Sequence, residues 1–133
     1  MIAAVADTHA IIWFLAGDSR LSLMARQFME QATQNGHQTA VSSITLIEIV
    51  YLVEKGRIPA QRFTQLANAL GEPDSMFMQI PVDLSVARAM SAVDVIQIPD
   101  MPDRIVAATA HWLKVPIISR DGRIRLSNLQ TIW

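Results

Sequence analysis

Met1-Ile2-Ala3-Ala4-Val5-Ala6-Asp7-Thr8 opens the chain as a short apolar run closed by a carboxylate. A continuous apolar run of this length, bounded by a polar residue, fits a strand buried on both faces, as in parallel sheets. The pattern returns downstream: residues 39–42, 76–82 and 115–119 read as further strands, and 129–133 as a last one. Helical segments lie between them. Thr8–Ala16 is apolar and aromatic and is broken by Gly17-Asp18. Leu21, Met24, Ala25, Phe28 and Met29 recur at helical spacing, which predicts a helix over 22–33, and Asn35-Gly36 is a turn signal. Residues 44–54 form an apolar helix ended by Lys55-Gly56, and 60–70 another, stopped by Gly71 and Pro73. Residues 84–92 and 103–113 complete the set, the last with Pro102 at its start. Strands alternating with helices predict the α/β class, a three-layer αβα arrangement around a central parallel sheet.

The 133 residues fit one domain spanning 1–133. With 51% apolar and 17% charged residues the chain does not have the composition of a disordered one. The longest apolar run, 10–16, is far short of the roughly 18 residues of a membrane span. No Lys or Arg precedes the opening apolar residues and Asp7 interrupts them, unlike a secretory signal, so a cytoplasmic location is expected. The absence of cysteine excludes disulfides, thiolate metal sites and cysteine nucleophiles. His9, His37 and His111 share no ligand spacing, which argues against zinc. The net charge of −1 argues against an indiscriminate polyanion binder. It hides an asymmetry, for residues 104–133 carry Arg104, Lys114, Arg120, Arg123 and Arg125 against Asp121 alone. Such a basic end steers a phosphate-bearing ligand, or is simple scatter.

In parallel sheets, ligands bind beyond the carboxyl ends of the strands. Asp7 follows the first strand, Asp121 follows the 115–119 strand, Glu48 lies in the helix after the second strand, and Asp103 opens a helix. Each has a structural alternative. Asp7 suits a helix N-cap, Thr45 and Glu48 have the spacing of a capping box, Asp100 and Asp103 flank Pro102 at a helix start, and Asp121-Gly122 is a turn pair. Glu48 has Ile44, Thr45, Tyr51 and Leu52 as helical neighbours, and a carboxylate on so apolar a face is costly unless something pairs it. The four alternatives do not explain why all four acids fall on one sheet edge. A carboxylate cluster without cysteine is a hard-oxygen site suited to Mg²⁺ or Mn²⁺, which also relieves the repulsion among the acids. Water activated by such an ion and attacking a phosphodiester in line is the usual chemistry of these sites. There is no Walker-type Gly-rich loop and no Gly-x-Ser-x-Gly elbow.

Four blocks resemble PIN-domain proteins of the VapC toxin type. They are Val5-Ala6-Asp7-Thr8-His9-Ala10-Ile11-Ile12-Trp13; Val41-Ser42-Ser43-Ile44-Thr45-Leu46-Ile47-Glu48-Ile49 with Gly56-Arg57-Ile58 following; Pro99-Asp100-Met101-Pro102-Asp103-Arg104-Ile105-Val106-Ala107-Ala108; and Ile117-Ile118-Ser119-Arg120-Asp121. The resemblance implies a PIN-like parallel sheet, Mg²⁺- or Mn²⁺-dependent cleavage of RNA, a homodimer, and a small antitoxin that occludes the site with a basic side chain. It makes Asp7, Glu48, Asp103 and Asp121 the catalytic, metal-holding quartet, with Thr8, Ser119 and Asp100 in support. Arg104, Arg120 and Arg123 become expected RNA phosphate contacts. Many relatives read His-x-Asp-Pro-Phe-Asp-Arg where this chain has Ile98-Pro99-Asp100-Met101-Pro102-Asp103-Arg104, so a His is missing and the Pro displaced. Apolar stretches 11–15 and 49–53 are candidates for partial exposure at interfaces, with wholly core placement the alternative and the favoured one for 49–53. The competing functional reading is a PIN-like module that binds RNA or protein without cutting. A receiver-type phospho-switch fits poorly, because Asp7 lacks a paired acid and only fourteen positions separate Asp100 from Lys114.

Overall fold

A computed structural model describes residues 1–133. Five parallel strands form one sheet in the order β3-β2-β1-β4-β5. They are β1 (Ile2–Ala6), β2 (Gln38–Ser42), β3 (Phe77–Ile80), β4 (Ile117–Ile118) and β5 (Thr131–Ile132). Seven helices connect and cover them: α1 (Thr8–Ala16), α2 (Leu23–Gln34), α3 (Ser43–Glu54), α4 (Gln61–Gly71), α5 (Leu84–Ala89), α6 (Met101–Leu113) and α7 (Gly122–Arg125). The three-layer α/β arrangement follows from alternation along the central strands. Ala4, Ala6, Val41, Phe77 and Ile118 join one core with Ile11, Met29, Ile49 and Leu66 from α1 to α4. Val5, Ala40, Ile80 and Ile117 join the other with Val86, Val106, Ala107 and Ile124 from α5 to α7. Both faces are thus apolar, as a buried parallel sheet requires.

Register places the site. β1 is flanked by β2, with Val5 opposite Ala40, and by β4, with Ala6 opposite Ile118. The Asp7 N–H donates to the Ile118 carbonyl at 3.0 Å, so the residues leaving β1 and β4 emerge side by side. β1, β2 and β4 end on Ala6, Ser42 and Ile118, and each is followed within a few residues by a helix start.

Several boundaries depart from the sequence reading. β4 and β5 are two residues each, shorter than expected, and α6 begins at Met101 rather than 103 because Asp100 caps it. One turn of helix, α7, was not expected; Asp121 caps it with its side chain. Residues 90–92 form a separate 3-10 turn after α5 rather than its last turn. The stretch 11–15 is mostly core, with Ile11, Ile12 and Trp13 buried, because α1 packs against α3 and α4 and shares a core with the sheet residues Ala4, Ala6 and Ile118. The favoured core placement of 49–53 is corrected: Ile49 is buried, but Val50 and Tyr51 are 41% and 53% exposed on the outer side of α3.

Candidate active site

A cavity of about 520 Å³ opens beyond the carboxyl ends of β1, β2 and β4, lined by Asp7, Glu48, Asp100, Asp103 and Asp121 together with Thr8, His9, Trp13, Arg20 and Arg120. Trp13 is its one apolar lining residue.

Asp7 leaves β1 in extended conformation and caps α1, its Oδ1 accepting from the Ala10 N–H at 2.9 Å. The capping alternative and the cavity placement therefore hold together. Burial pushes its carboxyl up from the usual range; hydrogen bonds from Ser119 and Ala10 oppose this, and Asp121 adds to it. Ser119 is fully buried below, and its Oγ accepts from the Asp121 N–H at 3.0 Å. One side chain thus ties together the two acids that leave neighbouring strands.

Glu48 does not form a capping box with Thr45. α3 starts at Ser43, capped by Ser42, so Glu48 lies beyond the first turn and out of reach of any cap. It accepts a hydrogen bond from the Thr8 hydroxyl instead. The Thr8 and Thr45 hydroxyl oxygens are 3.0 Å apart, and Thr45 is fully buried. A hydroxyl has a single proton. With the Thr8 proton on Glu48, Thr45 is the donor to Thr8, giving a directed chain Thr45 to Thr8 to Glu48. Burial raises the Glu48 carboxyl, the Thr8 bond lowers it and Asp100 raises it again.

Asp100 caps α6, accepting from the Asp103 N–H at 3.2 Å, and still lines the cavity. Asp103, in the first turn, is pushed up to about 7 by burial and then by the charges of Asp100, Asp121, Asp7 and Glu48. Asp121 accepts from the N–H groups of Arg123 (2.8 Å) and Ile124 (3.3 Å) at the start of α7.

The expected phosphate arginines part company here. Arg120 lines the cavity. Arg104 is a correction: its guanidinium turns inward, donating to the carbonyls of Met90 (3.0 Å) and Val93 (3.1 Å), because α6 packs on α5 and the turn after it. Arg123 is exposed but outside the cavity lining. Arg20, Trp13 and His9 line the cavity without having been expected there. Arg20 is paired with Asp18 at 2.7 Å, and an Asp-x-Arg spacing just after the Gly17 break was the available signal.

The donor set tests the fit of a metal. Every acid in the cavity offers hard oxygen, cysteine is absent, and the neighbouring carboxylate charges that add to burial in lifting Asp103 are what a cation offsets. No three of these side chains already form a closed ligand cluster. An open acidic bowl fits Mg²⁺ or Mn²⁺, since Mg²⁺ takes one or two carboxylates and retains several waters.

Fold and site together define a parallel α/β protein with an acidic centre beyond its strand ends. The family model of the PIN domain matches residues 4–128, and the chain belongs to that family. It is similar to Ribonuclease VapC22 of Mycobacterium tuberculosis (strain ATCC 25618 / H37Rv), 28% identical over 125 residues that cover 94% of this chain and 92% of the relative. In fold it resembles VapBC2 from Rickettsia felis, solved bound to a DNA fragment from its promoter (TM-score 0.71, 18% identity, 98% of this chain and 97% of the other). A toxin–antitoxin complex from Klebsiella pneumoniae gives a TM-score of 0.64 at 23% identity, covering 98% and 97% of the two chains.

Proposed function

We propose that this chain is a divalent-metal-dependent endoribonuclease of the VapC toxin type, acting as one domain over residues 1–133. The observation that carries the reading is the gathering of five carboxylates from β1, α3, α6 and the end of β4 in one cavity, with Asp103 raised to about 7. Family membership and the similarity to a named ribonuclease support it.

In this reading Asp7, Glu48, Asp103 and Asp121 hold Mg²⁺ or Mn²⁺. When bound, such an ion acidifies water and offsets charge developing on phosphate oxygens. The chain's own part is positional. Ser119 holds Asp7 and Asp121 at one spacing, Thr8 fixes Glu48, and Asp100 orients Asp103 through the helix cap. Arg120 lies where it can meet phosphate oxygen.

The partner proposal is a small antitoxin with a basic side chain that pairs with the same acids. The toxin–antitoxin complexes among the similar folds support it. Exposed Ile47, Val50 and Tyr51 on α3 support self-association as a homodimer, which light scattering at micromolar concentration tests directly. No helix is long and apolar enough to cross a membrane, and the proposed setting is the cytoplasm.

The activity test is incubation of purified protein with RNA in Mn²⁺. Cleavage is expected, to be abolished by EDTA and by Asp103→Asn with the circular-dichroism spectrum unchanged. Cleavage that persists in EDTA contradicts the reading.

A further inference from the structure

Five acids line the cavity, yet neither of its two arginines is paired with any of them. Arg120 makes no ion pair at all, although Asp121 follows it in sequence. Its guanidinium carbon instead stands 4.6 Å from the centroid of the Trp13 ring, and that of Arg20 stands 5.1 Å from the same ring. Arg20 is held a second time by Asp18, through Nε at 3.1 Å and a terminal nitrogen at 2.7 Å. Trp13 is itself fixed, 5% exposed, with the Trp133 ring edge-on at 5.9 Å and His9 at 5.5 Å.

The ring gives two exposed cations an alternative to collapsing onto the carboxylates. A guanidinium on a tryptophan face is attracted by the ring's negative face, which biases a mobile side chain toward it. The acids stay available for a cation while the rim stays available for an anion. The phosphate being cleaved would be met at the acids only through a cation that they hold. Fixed positive charge at the rim of the same cavity is of use to a ligand that carries a second phosphate alongside the first, which is what a nucleic-acid strand does.

We propose that Arg20 and Arg120, seated on Trp13, bind the phosphate adjacent to the one being cleaved, so that the site selects an RNA strand over a single nucleotide. The identity of the strand rests on the ribonuclease reading; the test does not depend on turnover. Both arginine side chains are on the surface, so their replacement does not disturb the core.

The experiment measures anisotropy of a fluorescein-labelled twelve-nucleotide single-stranded RNA with the full chain in EDTA, over a range of salt, for wild type, Arg20→Ala and Arg120→Ala. Each variant is expected to bind about tenfold more weakly. Each should also lower the slope of log K against log salt by about 0.7, one phosphate contact on a single strand. Calorimetric Mn²⁺ affinity should stay within about twofold of wild type. Unchanged RNA affinity and slope in both variants overturns the proposal. So does a fall in Mn²⁺ affinity that parallels the loss of RNA binding, since the arginines would then act on the acids. Cleavage of the same RNA by wild type in Mn²⁺ judges the nuclease reading separately: arginine-dependent binding without cleavage upholds the rim and overturns the nuclease.

Discussion

Thr8 donates its hydroxyl proton to Glu48 across forty positions of sequence, and Thr45 supplies the proton that Thr8 then accepts. This chain links the start of α1 to the middle of α3. It gives a carboxylate on a helix face whose neighbours are Ile44, Tyr51 and Leu52 a hydrogen-bond donor that opposes the upward push of burial. Thr8→Val keeps the shape and removes the donor. It is expected to leave the buried Thr45 hydroxyl unsatisfied, to cost about 1–3 kcal/mol of stability in urea unfolding, and to weaken Mn²⁺ binding. Thr8→Ser should restore both. Equal Mn²⁺ affinity in wild type and Thr8→Val would show that Glu48 needs no such support.

The acids make the metal-free fold pH-dependent in a defined sense. Asp103 has a carboxyl raised from 3.8 to about 7 in the folded chain, so between those values the native state binds more protons than the unfolded one. Stability from this group therefore falls as pH rises from about 4 to about 7, and Asp7 and Glu48, also raised, act in the same direction above 3.8 and 4.5. In EDTA, Asp103→Asn should melt at a Tm less dependent on pH between 5 and 7.5 than wild type, with the larger gain over wild type at pH 7.5. Parallel curves would remove the basis for the shift. With Mn²⁺ present the sign reverses, because protons and metal compete for the same oxygens.

Asp7→Asn separates architecture from chemistry. Asn is as good an N-cap as Asp, so the bond from Ala10 N–H survives, while the cost of burying a charge, which raises Asp7, and the lesser repulsion from Asp121 are relieved. The variant is expected to be at least as stable as wild type without metal. Wild type at a hundred times the Kd of Mn²⁺ should gain about 2.7 kcal/mol, seen as a rise of several degrees in Tm. Asp7→Asn combined with Asp121→Asn should show little of that rise. An equal rise in the double variant would put the ion elsewhere.

Arg104 behaves as a structural clamp. Its guanidinium bonds the Met90 and Val93 carbonyls and so fixes the segment after α5 against the helix that carries Asp100 and Asp103. Arg104→Ala should lose about 2 kcal/mol in urea unfolding, and Arg104→Lys should recover little, since one ammonium cannot reproduce the planar fork. Neither should change the salt dependence of RNA binding, in contrast to Arg120→Ala.

Much of this arrangement was legible in residues 1–7. A strand with no polar alternation requires apolar cover on both sides, and a carboxylate at its end is on the sheet edge where ligands bind. The expectation that Asp7, Glu48, Asp103 and Asp121 share an edge came from the same logic, and the cavity contains all four. What escaped reading depends on contacts distant in sequence. α7 is one turn, too short for any periodicity, and Asp121-Gly122 is equally a turn signal. Arg104 has the charge of a surface residue, and only the packing of α6 on α5 turns it inward. In sequence Trp13 is one more apolar residue of α1, and only the fold brings Arg20, Arg120 and Trp133 onto it from three other segments.

Water activated at the acidic bowl, rather than the ribose 2′-hydroxyl, is the proposed nucleophile on the RNA phosphodiester. End-group analysis of RNA cut by the purified chain in Mn²⁺ distinguishes the two. Fragments ending in 5′-phosphate and 3′-hydroxyl are expected. A 2′,3′-cyclic phosphate would mean that the ribose 2′-hydroxyl is the nucleophile, and would contradict the proposal.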